Sequence, residues 1–474
     1  MYKKIAYLLV ILTVKMVSAQ NTQKAVAVQI DSLLKNDFFK STQISVEVLD
    51  LSANDTVYQK DEKLLLHPAS NMKILTTTAG LIWLDTSYTF NTSFYYSGLL
   101  MDSVVYGDMY IVGGGDPDFT TSDLDSVILE IKKAGITEIR GNLYGDVSLF
   151  DSLFWGNGWM WDDDPSTDFP YMTPLLINDA AIQIAYQPGL IGEPVKYQLI
   201  PDTKYFNVTN SSITIEEDTS DFEITRDWIN RSNDIFIKGT LSSKAPLDTV
   251  AINIVHPEKY FLNLAEEHLR KNGIIFEGLV DTAKLPEFAH PLFTFQRKFG
   301  DIITNLNKKS DNLSAEMTLR ALAGKYFGKP ATAENGLKML DSLTILTGLD
   351  PSNYNFSDGS GVSRYNLISA DLLAHVLKYL YQSDTTHYQI LYNSFPVAGV
   401  DGTLENRMKN TPAYKNVHAK TGTLSGVSSL SGFVKSKNNH NLAFSIIIQN
   451  FVSNSKIARY FQDKICEILA GSDL

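Results

Sequence analysis

Three short motifs follow one another in a fixed order along this 474-residue chain. They are Ser70-Asn71-Met72-Lys73, Ser310-Asp311-Asn312 and Lys420-Thr421-Gly422-Thr423. A serine nucleophile with a lysine base needs these segments in one place, although about 240 residues separate the first motif from the second. We therefore expect one catalytic domain that is interrupted by a long insertion.

The motifs are informative as an ordered set rather than singly. Ser-x-x-Lys also occurs at Ser32/Lys35 and at Ser453/Lys456, and Ser-x-Asn recurs as well. Lys-Thr-Gly occurs once. The order and the unique third motif favour Ser70 as the nucleophile.

The residue types of the first two motifs suit an acyl-transfer reaction. A serine hydroxyl must lose its proton to a nearby base, and Ser70 and Lys73 share one face of a helix at this spacing. Lysine is a base only when neutral, and burial beside a second cation, Lys420, would lower its pKa. We expect Ser310 to pass a proton between Lys73 and the leaving amine. The Asn312 amide would hold Lys73 and a substrate carbonyl.

The third motif predicts an edge strand beside the nucleophile. We expect Gly422 to leave room for a substrate backbone that pairs with this edge. The N–H groups of Ser70 and Thr423 would stabilise the oxyanion. Lys420 and the hydroxyls of Thr421 and Thr423 suit a terminal carboxylate, which favours a carboxypeptidase over an internal protease.

Composition limits the kind of partner. Hydrophobic residues make up 44% of the chain and charged residues 20%, as in a globular protein with a large core. The formal net charge of −12 argues against a nucleic-acid partner, because phosphate binding needs a basic surface. The single cysteine, Cys466, excludes an intrachain disulfide. We expect it on the last helix, beside the apolar stripe that faces the core.

The N-terminus has the pattern of an export signal. Lys3 and Lys4 precede an apolar run at 5–14, and Val17-Ser18-Ala19 suits a cleavage site. We expect residues 1–19 to be a cleaved signal peptide and the mature protein to be exported, periplasmic and without a membrane span. Peripheral contact with the membrane stays open.

The apolar periodicity predicts an α/β (α+β) fold with helices on both faces of a sheet. Residues 20–90 are expected to form the first part of the catalytic domain and residues 291–474 the second. Residues 91–290 change to short strands and Gly/Asp turns, and they predict inserted modules, most simply two with one nested in the other.

Further segments extend the motif pattern over nearly the whole mature chain, namely 113–117, 358–366 and 396–404. With them the chain resembles the class C low-molecular-mass penicillin-binding proteins, the D-alanyl-D-alanine carboxypeptidase/endopeptidase family. The resemblance implies a penicillin-binding/β-lactamase-like serine transpeptidase fold. Its inserted α+β domains lie between the first and second motifs, which accounts for the long gap.

The resemblance also implies the reaction. Such an enzyme removes the terminal D-alanine of peptidoglycan stem peptides, often cleaves D-alanyl cross-bridges, and forms an acyl-enzyme, here on Ser70. β-Lactam antibiotics would acylate the same serine. No metal and no organic cofactor is implied, and the oligomeric state stays open.

Several other side chains have plain alternatives. Trp161, Asp162 and Asp163 resemble a family segment that holds the amino end of the stem peptide, but the alternative is a surface loop with partly buried tryptophans. Asp116 and Asp118 are expected in a Gly/Pro turn rather than a metal site. His67 and His418 are expected to be neighbours of the motifs, because the chain has no Gly-x-Ser-x-Gly elbow.

Two rival functions use the same sequence features. A β-lactamase or esterase would share the serine-lysine site but would not need the long insertion. A catalytically silent binder of wall peptides would not need intact Ser70, Lys73, Ser310 and Lys420. The balance of carboxypeptidase and endopeptidase activity and the diamino acid of the stem peptide stay open.

Overall fold

The computed structural model describes residues 23–218, 221–452 and 454–474. The predicted signal peptide, residues 1–19, lies outside them. In these residues no helix combines the length and the apolar character that a membrane crossing requires.

The described residues form helices and strands throughout. The helices are α1 (23–33), α2 (Met72–Trp83), α3 (Thr121–Lys133), α4 (Pro257–Lys271), α5 (Phe299–Thr304), α6 (Asn312–Phe327), α7 (Ala333–Leu346), α8 (Ala370–Ser383), α9 (Thr385–Ser394) and α10 (Lys456–Gly471). The strands are β1 (Gln43–Asp50), β2 (Asp55–Lys60), β3 (Thr89–Tyr96), β4 (Leu99–Met101), β5 (Val104–Tyr106), β6 (Met109–Val112), β7 (Glu138–Ile139), β8 (Leu143–Asp146), β9 (Ala181–Gln187), β10 (Lys196–Ile200), β11 (Val208–Asn210), β12 (Ile213–Ile215), β13 (Glu223–Arg226), β14 (Ile235–Lys238), β15 (Thr240–Ser242), β16 (Asp248–Asn253), β17 (Ile275–Phe276), β18 (Val280–Thr282), β19 (His290–Lys298), β20 (His418–Leu424), β21 (Val427–Lys435) and β22 (Asn441–Gln449).

The chain divides into two compact units. Unit 1 comprises the described residues up to Asp85 together with Ile303–Asp311 and Leu337–Leu474. Unit 2 comprises Thr86–Ile302 and Asn312–Gly336. The units thus divide the chain at other residues than the predicted domains, whose borders stay a prediction.

Segment 312–336 belongs to unit 2 because side chains of α6 bind the loop that follows β8. Arg320 Nη1 donates to Asp151 Oδ1 at 3.0 Å and to the Ala331 carbonyl at 2.9 Å. Ala331 also forms a parallel bridge with Phe150. Sequence position alone gave no sign of these contacts.

Unit 1 is built on a five-stranded antiparallel sheet with the order β2-β1-β22-β21-β20. On one face, Val46 and Val48 of β1 share a core with Val26 of α1 and Phe461 of α10. Successive side chains of a strand point to opposite faces, and Glu47 accordingly meets α8 on the other face. The sheet therefore has helices on both sides.

Helix α2 departs from its sequence pattern. Ile74, Thr78, Leu81 and Ile82 predict a helix with one buried stripe, but every residue from 72 to 81 is buried. The hydroxyls of Thr76 and Thr77 find partners, such as the Gly359 carbonyl at 2.7 Å from Thr76 Oγ1, whereas the buried Thr78 Oγ1 has none among the described residues. The part of α2 that carries Lys73 is thus enclosed on all sides.

Unit 2 contains short, mostly mixed sheets. The larger ones have the orders β18-β8-β6-β3-β19 and β17-β7-β5-β4. The smaller ones have the orders β10-β9-β16, β11-β14-β13 and β12-β15. A common core joins Ile111 and Leu143 of these strands to Leu124 of α3 and Leu262 of α4.

Two local sequence patterns in unit 2 mislead. Residues 106–112 predict one strand, but they form parts of two, β5 and β6, because Gly107 and Asp108 turn the chain against Ser97, whose Oγ accepts from the Asp108 N–H. The sequence predicts Ser122 as the N-cap of α3, but the N-cap is Thr120, which forms a capping box with Asp123.

Candidate active site

Ser70 lies in a tight turn at the start of α2. A 3-10 turn at Ala69–Asn71 leads into the helix, and Ala69 has a left-handed φ of 47°. Ser70 is half-buried, whereas its two neighbours are fully buried. A Cβ on Gly361, which has a φ of +91°, would overlap the Ala69 carbonyl oxygen. The turn that presents Ser70 is therefore fixed by close backbone contact.

Lys73 is fully buried one turn after Ser70. Its Nζ donates to Ser70 Oγ at 3.0 Å and to the Ser360 carbonyl at 2.7 Å. The carbonyl contact holds the amine beside the hydroxyl. Ser70 and Lys73 can therefore exchange a proton directly.

Asp358 orients the loop that supplies the Ser360 carbonyl. Its carboxylate is buried and accepts from the N–H groups of Gly361 and Ser363 at 2.7 Å each. The Asn366 side-chain amide donates to it at 2.7 Å as well. These contacts make Asp358 a positioning residue for Lys73, whereas the sequence of 358–361 predicts only a tight turn that supports the site.

Ser310 and Lys420 form a second serine-lysine pair. Lys420 is fully buried on β20, and its Nζ donates to Ser310 Oγ at 2.7 Å and to the Thr421 carbonyl at 2.9 Å. Ser310 has a left-handed φ of 65° and follows a π-helical turn at Asn305–Lys309. Such irregular backbone is frequent at functional sites.

Electrostatics favours loss of a proton from Lys420. Burial, and then the charge of Lys73, lowers the pKa of Lys420 well below its ordinary value. The Lys420 amine is therefore easier to deprotonate than a lysine amine in water.

Strand β20 is an edge strand that approaches the Ser70 turn closely. A Cβ on Gly422 would lie 2.9 Å from both Ser70 N and the Pro68 carbonyl oxygen, and still closer to Ser429 Oγ. Asn71 Nδ2 also donates to the Lys420 carbonyl at 3.0 Å. The missing side chain of Gly422 thus makes room for the nucleophile turn, and the expected room for a substrate backbone stays a prediction.

Two residues that the motifs do not include contact this strand. Thr421 Oγ1 donates to Thr403 Oγ1 at 2.7 Å, and Arg459 Nη2 of α10 donates to Thr423 Oγ1 at 3.2 Å. Thr403 lies in the segment 396–404 that carried the resemblance. Arg459 had no sequence signal, since it reaches the strand only through the packing of α10.

Asn312, Trp161, Asp162 and Asp163 belong to unit 2. Asn312 is the first residue of α6 and donates to the Asp168 carbonyl at 2.6 Å. Trp161 is 71% exposed and stacks on Trp228 with ring centroids 5.3 Å apart. The substrate contacts assigned to these four residues stay a prediction.

The residues with plain alternatives have structural partners. Both carboxylate oxygens of Asp116 accept from Arg297 Nε, at 3.0 and 3.1 Å, and the Asp118 N–H donates to Asp116. His418 stacks on Tyr392, and burial lowers its pKa, which keeps the ring neutral. The expected turn at 116–118 therefore closes on an ion pair.

Residues 26–471 match the D-Ala-D-Ala carboxypeptidase 3 (S13) family. The chain belongs to this family. It is 30% identical over 457 residues to the D-alanyl-D-alanine carboxypeptidase of Actinomadura sp. R39, covering 93% of this chain and 84% of that protein. These findings confirm the predicted family. They also confirm the predicted activity, that of a D-alanyl-D-alanine carboxypeptidase, which is a serine peptidase.

Solved structures agree with the S13 assignment. Penicillin binding protein 4 (dacB) of Haemophilus influenzae matches with a TM-score of 0.82 at 26% identity, covering 92% of this chain and 97% of that one. The same protein in complex with a β-lactam matches with a TM-score of 0.76 at 25% identity, with the same coverage. The predicted penicillin-binding fold class is confirmed.

Proposed function

We propose that Ser70 is the nucleophile of this S13 carboxypeptidase. The observation that carries the proposal is the contact of the fully buried Lys73 amine with Ser70 Oγ, 3.0 Å apart at the start of a buried helix. Neutral Lys73 would take the hydroxyl proton as Ser70 attacks the carbonyl of the penultimate D-alanine. An ester to Ser70 forms, and the C–N bond to the terminal D-alanine breaks.

The leaving amine needs a proton before it departs. We assign its delivery to Ser310, whose hydroxyl is held by Lys420 Nζ at 2.7 Å. Water then attacks the ester, and the same lysine-serine system takes its proton and returns one to Ser70. We assign substrate positioning to the Asn312 amide, a role that rests on the motif alone.

The oxyanion would be stabilised by the N–H groups of Ser70 and Thr423. A donor of this kind is typically worth about 3–4 kcal/mol of transition-state stabilisation. The close approach of β20 to Ser70 at Gly422 supports the pairing of these two N–H groups.

The terminal carboxylate of the substrate would bind at β20. Thr421 and Thr423 offer hydroxyls there, and the Arg459 guanidinium lies on Thr423. A cationic and hydroxyl-rich edge strand favours a free carboxylate, and hence removal of a terminal residue. Endopeptidase activity on D-alanyl cross-bridges is a second proposed activity of the same site.

We propose peptidoglycan stem peptides as the substrates and β-lactams as acylating inhibitors of Ser70. Two relatives support this, a D-alanyl-D-alanine carboxypeptidase and a penicillin binding protein solved with a β-lactam. Both ligands suit an exported protein that acts at the cell wall.

The test is release of D-alanine from a stem pentapeptide, together with labelling by a fluorescent penicillin. Ser70→Ala should abolish both. Ser32→Ala is the matched control, because Ser32 belongs to another Ser-x-x-Lys motif and is exposed; this variant should keep both. Label on a serine other than Ser70 would overturn the assignment, and fast lactam turnover without D-alanine release would favour a β-lactamase.

A further inference from the structure

A second cluster of ionisable side chains lies in unit 1, between β1 and α8. Glu47 is fully buried in β1, which has a neighbouring strand on either side. Asp371 and His375 lie one turn apart on α8, so that both side chains point to the same side of the helix. One potential ligand atom from each of the three residues lies within 4.8 Å of the other two.

Burial raises the pKa of Asp371, but the hydrogen bond and charge of His375 outweigh it and lower that pKa, so Glu47 is the carboxyl group with less compensation. Gln59 Nε2 donates to Glu47 Oε1 at 3.0 Å, but the buried Glu47 Oε2 has no hydrogen-bond donor in the described part of the chain. Asp371 is 5% exposed, and His375 Nδ1 lies 3.0 Å from its Oδ1. Among the described residues, no lysine or arginine forms a salt bridge with either acid. Buried carboxylates normally pair with a cation or bind a metal.

We propose that Glu47, Asp371 and His375 form a binding site for a divalent transition-metal ion, with Zn²⁺ as the best fit. A cation with two positive charges would balance both carboxylates and give Glu47 Oε2 the partner that the protein does not supply. The proposal concerns a site that takes no part in the carboxypeptidase reaction proposed above.

The ligand set decides between metals. Zn²⁺ binds imidazole nitrogen and carboxylate oxygen in four-coordinate sites, and three protein ligands leave one position for water. Ca²⁺ and Mg²⁺ prefer six or more oxygen ligands, so a histidine with two acids suits them poorly. The Gln59 amide on Glu47 Oε1 resembles the outer hydrogen bonds that orient metal ligands.

A metal here would act as a structural clamp. Glu47 lies in β1, and the other two ligands lie in the first half of α8, so one ion would join the sheet to the helix that covers it. Backbone hydrogen bonds join strands to one another but do not join a sheet to the helix packed on its face, so this link has to come from side chains.

The experiment measures Zn²⁺ bound to the full exported chain after removal of metals with a chelator, by equilibrium dialysis and elemental analysis. We expect about one ion per chain and a higher melting temperature with Zn²⁺. Glu47→Gln and His375→Gln should each weaken binding by more than about 100-fold, because loss of an outer partner alone costs about 10- to 100-fold. Gln59→Ala, which removes such an outer partner, should weaken Zn²⁺ binding by about 10- to 100-fold.

Matched controls separate a lost site from a lost fold. His387→Gln removes a histidine whose Nδ1 lies 3.0 Å from Oδ2 of the half-buried Asp384, and it should leave Zn²⁺ binding unchanged. All variants should still label with fluorescent penicillin, since none touches Ser70. Absence of Zn²⁺ binding by the parent chain would overturn the proposal, and so would undiminished binding by Glu47→Gln or His375→Gln. Co²⁺ substitution in the parent chain gives an independent readout, because tetrahedral ligand-field bands are expected and an octahedral spectrum would contradict the site.

Discussion

At the scale of single residues, the site depends on two amines that are kept out of water. Lys73 and Lys420 are both fully buried, and each donates to a serine hydroxyl. Burial penalises the charged form of an amine, and each charge penalises the other. The chemistry of Ser70 therefore follows the protonation state of this pair.

We expect the rate of acylation by penicillin to fall as the pH is lowered. The pKa of Lys420 lies well below its ordinary value, so this amine loses its proton at a pH where free lysine keeps it. As the pH falls through that lowered pKa, Lys420 regains its proton and can no longer accept one from Ser310. Stopped-flow acylation measured from pH 5 to pH 10 tests this, and a flat profile would refute it.

Lys73→Arg tests directly whether Lys73 acts as the base. Arginine keeps the positive charge but cannot act as a base at these pH values, and general-base catalysis is typically worth about 10²- to 10⁴-fold. Acylation should fall by that factor. Lys35→Arg, in the unrelated Ser-x-x-Lys motif, is the control and should have no effect.

The sequence predicted the contact of Ser70 with Lys73, but it did not predict the groups from other segments that surround the motif residues. Ser70 and Lys73 lie three residues apart, so helix geometry alone brings their side chains together. The carbonyl of Ser360 and the guanidinium of Arg459 come from segments far away in the chain. No local sequence pattern predicts that the Ser360 carbonyl lies beside the Lys73 amine. Arg459 cannot be distinguished in the sequence from the other polar residues of α10.

At the scale of elements, the approach of β20 to the turn before α2 sets the geometry of the site. Backbone atoms, rather than long side chains, meet there, and Gly422 permits it. The third motif predicted the edge strand but not the reason for its glycine. That reason needs the position of a second element about 350 residues earlier.

Gly422→Ala should therefore damage the site without unfolding unit 1. The added methyl would lie 2.9 Å from Ser70 N and must push the strand away from it. A displacement of about 1 Å in an active site commonly costs about 100-fold in rate. Penicillin acylation measures the loss, and thermal unfolding shows that the fold remains.

Gly471→Ala is the control for that substitution. Gly471 ends α10, and a Cβ there would meet nothing closer than Pro412 at 3.9 Å. Acylation by this variant should equal that of the parent chain. An unchanged rate for Gly422→Ala would show that β20 can relax without moving Ser70.

The element patterns failed where tertiary packing overrode them. The stripe on α2 predicted an exposed face, but surrounding elements bury every residue of that helix from 72 to 81. The strand expected at 106–112 broke at Gly107 and Asp108, where a side-chain contact with Ser97 closes a turn. The periodicity of apolar residues predicts one buried face of a segment, but it does not predict a second face that polar residues bury.

At the scale of the whole molecule, unit 1 is assembled from distant parts of the chain. β1 pairs with β22, so residues 43–50 lie beside residues 441–449 in the centre of the sheet. The long gap between the first two motifs predicted an insertion. The inclusion of α6 in unit 2 was not predictable, because it depends on contacts such as that of Arg320 with Asp151.

A chain that ends at residue 415 should not react with penicillin. It keeps Ser70, Lys73 and Ser310 but lacks β20, β21 and β22, which leaves β1 with β2 as its one strand partner. A two-stranded ribbon is marginally stable at best. Labelling with fluorescent penicillin should fall to background, and specific label on Ser70 would show that the missing strands are dispensable.

The pairing of β1 with β22 also determines when the protein can fold. The central ladder of the sheet closes a loop of nearly 400 residues, so it forms only after almost the whole chain has been synthesised. Contacts of such long range also form slowly. A growing chain therefore keeps its catalytic sheet open until translation is nearly complete.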